Sequence, residues 1–154
     1  QYKATRDGFS SKTFHQLCDN KGPTITACKT TDGFVFGGFN SHSWTSNNQW
    51  AQAKDNFIFS LINPFNDGAR KLKCKNPQRA AYNCENFGPT FGGSQSYFDP
   101  YDIYLDSTMR KGHANIGSSY STFRGGHGTR EAQKSIAGSL NSWVLQDVEI
   151  FILV

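Results

Sequence analysis

Apolar residues along this chain recur mostly at every second position, the spacing of strands rather than of long helices. One early stretch departs from this. Phe14, Leu17 and Cys18 form an i, i+3, i+4 stripe and predict a helix over Ser11–Cys18. Ser10 or Ser11 serves as N-cap, and Asn20, Gly22 and Pro23 stop it. Thr24 to Thr30 alternates and is rich in β-branched residues, Asp32-Gly33 signals a type I′ turn, and Phe34-Val35-Phe36 returns as the second strand. Gly37-Gly38 then permits a bend or bulge. Residues 41–56 are polar and read as a long loop holding Trp44 and Trp50. Phe57-Ile58-Phe59-Ser60-Leu61-Ile62 is apolar on both faces, which predicts a central strand ended by Asn63-Pro64. Lys71, Lys73 and Lys75 alternate with Leu72 and Cys74, and Tyr101, Ile103 and Leu105 alternate with Asp102, Tyr104 and Asp106. Trp143 to Val154 is a long final strand with Val148, Ile150 and Ile152 on one face. These elements predict a mainly β protein: an antiparallel two-sheet β-sandwich flanked by one or two short helices. Phe34, Phe36, Phe57, Phe59 and Leu61 are its expected core.

No internal repeat or linker divides the 154 residues, so a single domain over 1–154 is expected. The net charge of +4 falls short of a nucleic-acid footprint. No apolar run is long enough for a membrane helix, so no membrane insertion is expected. Four cysteines, Cys18, Cys28, Cys74 and Cys84, suit two disulfides in a secreted protein. Cys18–Cys28 and Cys74–Cys84 are the first pairing to test. The start at Gln1 fits either a mature chain whose leader has been removed or a domain cut from a longer one.

Signatures of catalysis are missing: the sequence has no G-x-S-x-G, P-loop or H-E-x-x-H, and its cysteine spacings do not suit zinc. The protein is therefore expected not to be an enzyme. Lys71, Lys73 and Lys75 read as a solvated ridge guarding a strand edge. From Tyr97 to Asp106, by contrast, four aromatic rings lie among Asp99, Asp102 and Asp106. Rings cover the C–H face of a sugar and carboxylates accept its hydroxyl protons. Carboxylates also hold calcium, which binds sugar hydroxyls directly. Asp102 and Asp106 would stand roughly 13 Å apart on an extended strand, so Asp99 and Asp102 are the expected metal ligands. Tyr97, Tyr101, Asp102, Arg124 and His127 form the expected sugar site, the last two from the glycine-rich stretch Arg124–Glu131. On this reading Asp102→Asn weakens binding and leaves the fold intact.

A resemblance spreads across almost the whole chain. It is carried by Asp7-Gly8-Phe9-Ser10 with Phe14-His15, by Asp32-Gly33-Phe34-Val35-Phe36-Gly37-Gly38-Phe39, and by Phe57-Ile58-Phe59-Ser60-Leu61. Phe87-Gly88-Pro89-Thr90-Phe91-Gly92-Gly93, Asp102-Ile103-Tyr104-Leu105 and Asp147-Val148-Glu149-Ile150-Phe151 complete it. In order and spacing these resemble a TLDc domain. The resemblance implies a β-sandwich flanked by helices, carries no catalytic residues, and associates the chain with oxidative-stress resistance and the vacuolar proton pump. Ser94–Tyr101 departs from the family pattern and puts the pump role in doubt. In size and context the chain is also similar to small galactose-binding lectins of marine invertebrates. The leading expectation is a secreted lectin for glycans with terminal galactose, working through calcium and as a homodimer. The alternative is a cytosolic TLDc interaction module that binds the proton pump or supports oxidative-stress resistance.

Overall fold

The computed structural model describes residues 1–94, 101–140 and 142–154. In chain order the elements are β1 (Tyr2–Lys3), α1 (Ala4–Asp7), α2 (Ser11–Cys18), β2 (Thr24–Thr30), β3 (Val35–Asn40), β4 (Gln49–Ala51) and β5 (Phe57–Ile62). Then come β6 (Arg70–Lys73), a 3₁₀ turn at Pro77–Arg79, β7 (Ala81–Asn83), β8 (Thr90–Phe91), β9 (Ile103–Leu105), β10 (Lys111–Ala114), α3 (Arg130–Lys134) and β11 (Trp143–Ile152). Eleven strands pair along one path, β4-β7-β8-β9-β10-β11-β2-β3-β5-β6, with β1 on β11. Every strand pair is antiparallel.

The expected sandwich takes the form of one sheet folded on itself, and β11 is where it turns. Trp143 and Val144 pair with β10, whereas Leu145 and residues 147–152 pair with β2, with a register shift between Leu145 and Asp147. The two halves meet face to face. Phe36 of β3 lies edge-on to Trp143 with centroids 5.1 Å apart, and Phe91 of β8 lies edge-on to Trp44 at 5.4 Å. An inner row, Ile150–Thr26–Gly38–Ile58–Leu72, follows from the register across five strands and is buried throughout.

The early helix forms as expected. Phe14 and Cys18 are buried and Leu17 is half-buried, while Ser10 takes the N-cap position in extended conformation without a side-chain bond. Asn20 at φ 59° and Gly22 at φ 83° turn the chain out of it.

Four expectations need correction. The hairpin after β2 is not type I′, because Gly33 is at φ 91° but Asp32 is not at positive φ. Gly33 N–H donates to Thr30 O at 3.0 Å and Thr30 N–H to Phe34 O at 2.9 Å. That is a three-residue loop built on a type I turn with a left-handed third residue. Gly37 and Gly38 run straight within β3, and the irregularity falls between Val35 and Phe36 instead. The two glycines are required by packing: a Cβ on Gly38 would stand 2.6 Å from the Phe91 ring, and one on Gly37 would strike Thr26 O. Residues 41–56 are not all loop, since they hold β4 and a Trp44 that is only 1% exposed. Lastly, of the five expected core residues Phe36 is buried, but Phe34 is half-buried, Phe57 and Phe59 are half-buried on the face opposite the buried Ile58, and Leu61 is 50% exposed.

A candidate interaction face

The residues first expected to bind sugar have other partners. Tyr97 and Asp99 lie outside the described residues. Asp102 is fully buried. Its Oδ1 accepts the Ser119 N–H at 2.8 Å, and Oδ2 accepts those of Gly117 at 2.9 Å and Tyr120 at 3.2 Å. The carboxylate organises the 117–120 loop and has no face toward solvent. Gly92, at φ 69°, is the residue that admits it, because a Cβ there would strike Asp102 Oδ1. Tyr101 belongs to a half-buried aromatic cluster, stacked on Tyr104 at 5.5 Å and near Phe87, Tyr82 and Trp50. Arg124 makes a bidentate pair with Asp67 at 2.6 and 2.9 Å and lies 4.6 Å from the Phe65 ring. The guanidinium holds the Asp67 carboxyl below the usual carboxylate range. His127 is exposed, with its Cβ against Gly117. Among the described residues, no group of three or more His, Cys, Asp or Glu side chains is placed to hold a metal ion.

The cysteines do not pair either: all four are free thiols. Burial pushes the Cys18 thiol up to about 12 and that of Cys28 higher still, so both behave as small apolar core residues.

A groove of about 500 Å³ lies beside α2, lined by His15, Asp19, Ser46 and Glu85 among others. Its histidine is fully engaged. Nδ1 meets Asp19 Oδ1 at 2.7 Å, and Nε2 faces the carbonyls of Cys84 and Phe87, each at 2.9 Å. Ser46 Oγ donates to the other Asp19 oxygen at 2.6 Å. This arrangement clasps α2 to the 84–87 loop and leaves no ring nitrogen open to a substrate.

An apolar surface lies on the outer face of the half-sheet β11-β2-β3-β5-β6. Register builds it in rows. Phe151, Ile25, Phe39, Phe57 and Lys73 follow one another across the strands, and beside them run Glu149, Ala27, Gly37, Phe59 and Lys71. Phe39 and Phe57 touch with centroids 5.2 Å apart. Leu61, Ile62 and Phe151 are 50%, 54% and 44% exposed, which is unusual for residues of that size. A hollow of about 420 Å³ opens among Ile25, Phe57, Phe59, Leu61 and Lys71, and a second of about 210 Å³ among Ala27, Val35, Asp147 and Glu149.

The two ends of this face differ in charge. At β11, Asp147 and Glu149 are answered by Lys3 at 3.7 and 3.9 Å, and Asp147 also accepts from the Thr5 N–H and hydroxyl. At β6, Arg70, Lys71 and Lys73 are exposed, and among the described residues none of them makes an ion pair. Lys71 Nζ instead stands 4.2 Å from the centre of the Phe57 ring. Sequence reasoning missed this face by assigning Phe57, Phe59 and Leu61 to the core.

Comparison with known proteins settles the family and overturns the leading functional expectation. The TLDc domain profile matches residues 1–154. The protein named MTOR-associated protein MEAK7 from Gallus gallus is 35% identical over 130 residues, covering 75% of this chain and 26% of its own length. The Xenopus laevis protein of that name is 30% identical over 148 residues, with 89% and 30% covered. That from Danio rerio is 29% identical over 114 residues, with 69% and 23% covered. The chain thus spans less than a third of these relatives. Their names give association with mTOR, not galactose binding, so the secreted lectin, its glycan partners and the homodimer tied to cross-linking are withdrawn. The free thiols remove the disulfide argument for secretion as well. With the profile matching from end to end and the same strands carrying the motifs noted in the sequence, the chain belongs to the TLDc domain family.

Proposed function

We propose that this chain is a non-catalytic, intracellular interaction module that docks a protein partner on the outer face of β11-β2-β3-β5-β6. The observation that carries the reading is the apolar stripe from Phe151 to Phe57 with Leu61 and Ile62 exposed beside it. A face of this kind is costly to leave in water and marks protein association. The relatives' names supply the setting, an assembly that contains mTOR. Free thiols suit a reducing compartment.

The test uses the full-length protein, tagged in cells, with mTOR as the readout of recovery. Leu61→Asp places a charge on the stripe at a half-exposed position and is expected to change stability by less than about 0.5 kcal/mol. It should abolish recovery, whereas Lys12→Glu, in the groove beside α2, should not. Equal recovery with Leu61→Asp and wild type would remove this face from the interaction. Blotting the same samples for proton-pump subunits asks whether the partner implied by the family resemblance shares the face.

A further inference from the structure

The outer face has a shape and a polarity that specify its occupant. We propose that it receives an amphipathic helix lying across the strands, with its N-terminal end over β11 and an acidic C-terminal turn over Lys71 and Lys73. This inference rests on the interaction reading above.

Shape comes from the row Glu149–Ala27–Gly37–Phe59–Lys71. Ala27 and Gly37 are small, and the Phe59 ring lies down over Gly37, where a Cβ would meet Cζ at 2.7 Å. The neighbouring row rises with Phe151, Ile25, Phe39 and Phe57. A low track therefore crosses the sheet, with the 420 and 210 Å³ hollows at its two ends. Four strand spacings make it roughly 19 Å long, the length of about 13 helical residues.

Backbone chemistry selects a helix over an extended segment. A strand laid on a sheet face leaves its own N–H and C=O groups without partners, and a strand added to an edge needs that edge open. The β6 edge is already occupied at its C-terminal end: Ser121 N–H donates to Lys73 O at 3.0 Å and Lys75 N–H to Ser119 O at 2.8 Å, which leaves at most three residues for an added strand. A helix satisfies its backbone internally and presents one apolar stripe.

Charge selects the direction. The acids at β11 are held by Lys3 and Thr5, while Lys71 and Lys73 at β6 make no ion pair among the described residues. A helix C-terminus carries partial negative charge from its last carbonyls, and acidic side chains there add to it. Both find their complement at β6.

The probe is a synthetic helix of about 14 residues with a leucine stripe and glutamates in its last turn, labelled for fluorescence anisotropy against the full-length protein. Its counterpart carries lysines in that turn. The glutamate helix should bind at least about tenfold more tightly than the lysine helix. The double variant Lys71→Glu, Lys73→Glu should reverse that order, and Leu61→Asp should weaken both. Circular dichroism confirms that each variant is folded. Equal binding of the two helices, or binding of neither, overturns the proposal. So does binding to phosphatidylserine vesicles without binding to the glutamate helix, which would make the face a membrane surface. If the helices bind equally while Leu61→Asp still loses mTOR, this inference fails and the docking face stands. If Leu61→Asp keeps mTOR, the docking face itself fails.

Discussion

Replacing Asp102 by asparagine removes one charge and one acceptor from a point where three backbone N–H groups converge. Ser119 donates to Oδ1, and Gly117 and Tyr120 to Oδ2, all inside the protein. An asparagine keeps one carbonyl oxygen, and its amide nitrogen must take the other position. The less costly orientation places the amide at Oδ1 and orphans the Ser119 N–H. The two remaining bonds then lose their charge assistance, and the total comes to roughly 2–4 kcal/mol. For a domain of this size that is a fall in Tm of roughly 5–15 °C. Urea unfolding followed by tryptophan fluorescence measures it. Asp106→Asn is the control, since Asp106 accepts from Thr108 N–H and Oγ1 through a single exposed oxygen that asparagine retains. It should cost less than about 1 kcal/mol. Had Asp102 been a solvent-facing metal ligand, its neutral variant would fold as well as wild type. A midpoint for Asp102→Asn indistinguishable from wild type would refute the structural assignment.

Other outcomes follow from packing and protonation. Gly38→Ala drives a methyl group into the Phe91 ring and should cost about 1–3 kcal/mol by urea titration; coupling to Phe91→Leu in a double-mutant cycle should recover part of it, and strict additivity would argue against face-to-face packing of the two halves. Thiol titration of the native protein should label Cys74 and Cys84 first, with Cys18 and Cys28 reacting only on unfolding, because burial hides them and raises their thiols. Immediate labelling of all four would contradict the core. Burial depresses the His113 imidazole below its ordinary 6.5, so the unfolded chain takes up the proton first as pH falls. The stability it contributes is complete above that value and declines below it. His113→Phe, beside Tyr104 at 4.9 Å, should flatten the slope of stability between pH 7 and 5, and an unchanged slope would exclude His113 as its source.

Much of the fold was legible because strand alternation and turn residues are local signals. The helix Ser11–Cys18, the β2–β3 hairpin, the β5 strand and the long β11 all lie close to where the sequence placed them. The errors arose where a local motif has two physical uses. Asp-Gly serves a two-residue loop or the end of a three-residue one, and the choice depends on the backbone of Asp32, which no residue type fixes. Gly-Gly serves a bulge or a close approach, and Gly38 is small because Phe91, more than fifty positions later, must lie on it. The misread loop has the same origin. Tyrosines and aspartates beside glycines describe an open sugar site, and they also describe a carboxylate wrapped in backbone N–H groups next to an aromatic cluster. Asp102 realises the second arrangement because residues 117–120 fold over it, and nothing near Asp102 in sequence announces that.

The interaction face was legible in principle through parity across strands rather than along one. Phe57-Ile58-Phe59-Ser60-Leu61 offers two candidate faces, and hydrophobicity alone favours burying the phenylalanines. The neighbouring strand decides otherwise. Lys71 and Lys73 flank Leu72 and cannot enter the core without a buried partner, so Leu72 points inward. Antiparallel pairing sets Leu72 opposite Ile58 and the two lysines opposite Phe59 and Phe57. Residues opposite one another share a face, so Ile58 is core and the phenylalanines lie outside with the lysines. Serine at position 60, also inward, is then the residue that looks out of place, and its hydroxyl is indeed buried without a hydrogen-bond partner among the described residues. A strand that turns large aromatic side chains outward and a serine inward is poorly explained by folding stability alone. The arrangement is understandable if the outer row is kept apolar for a partner.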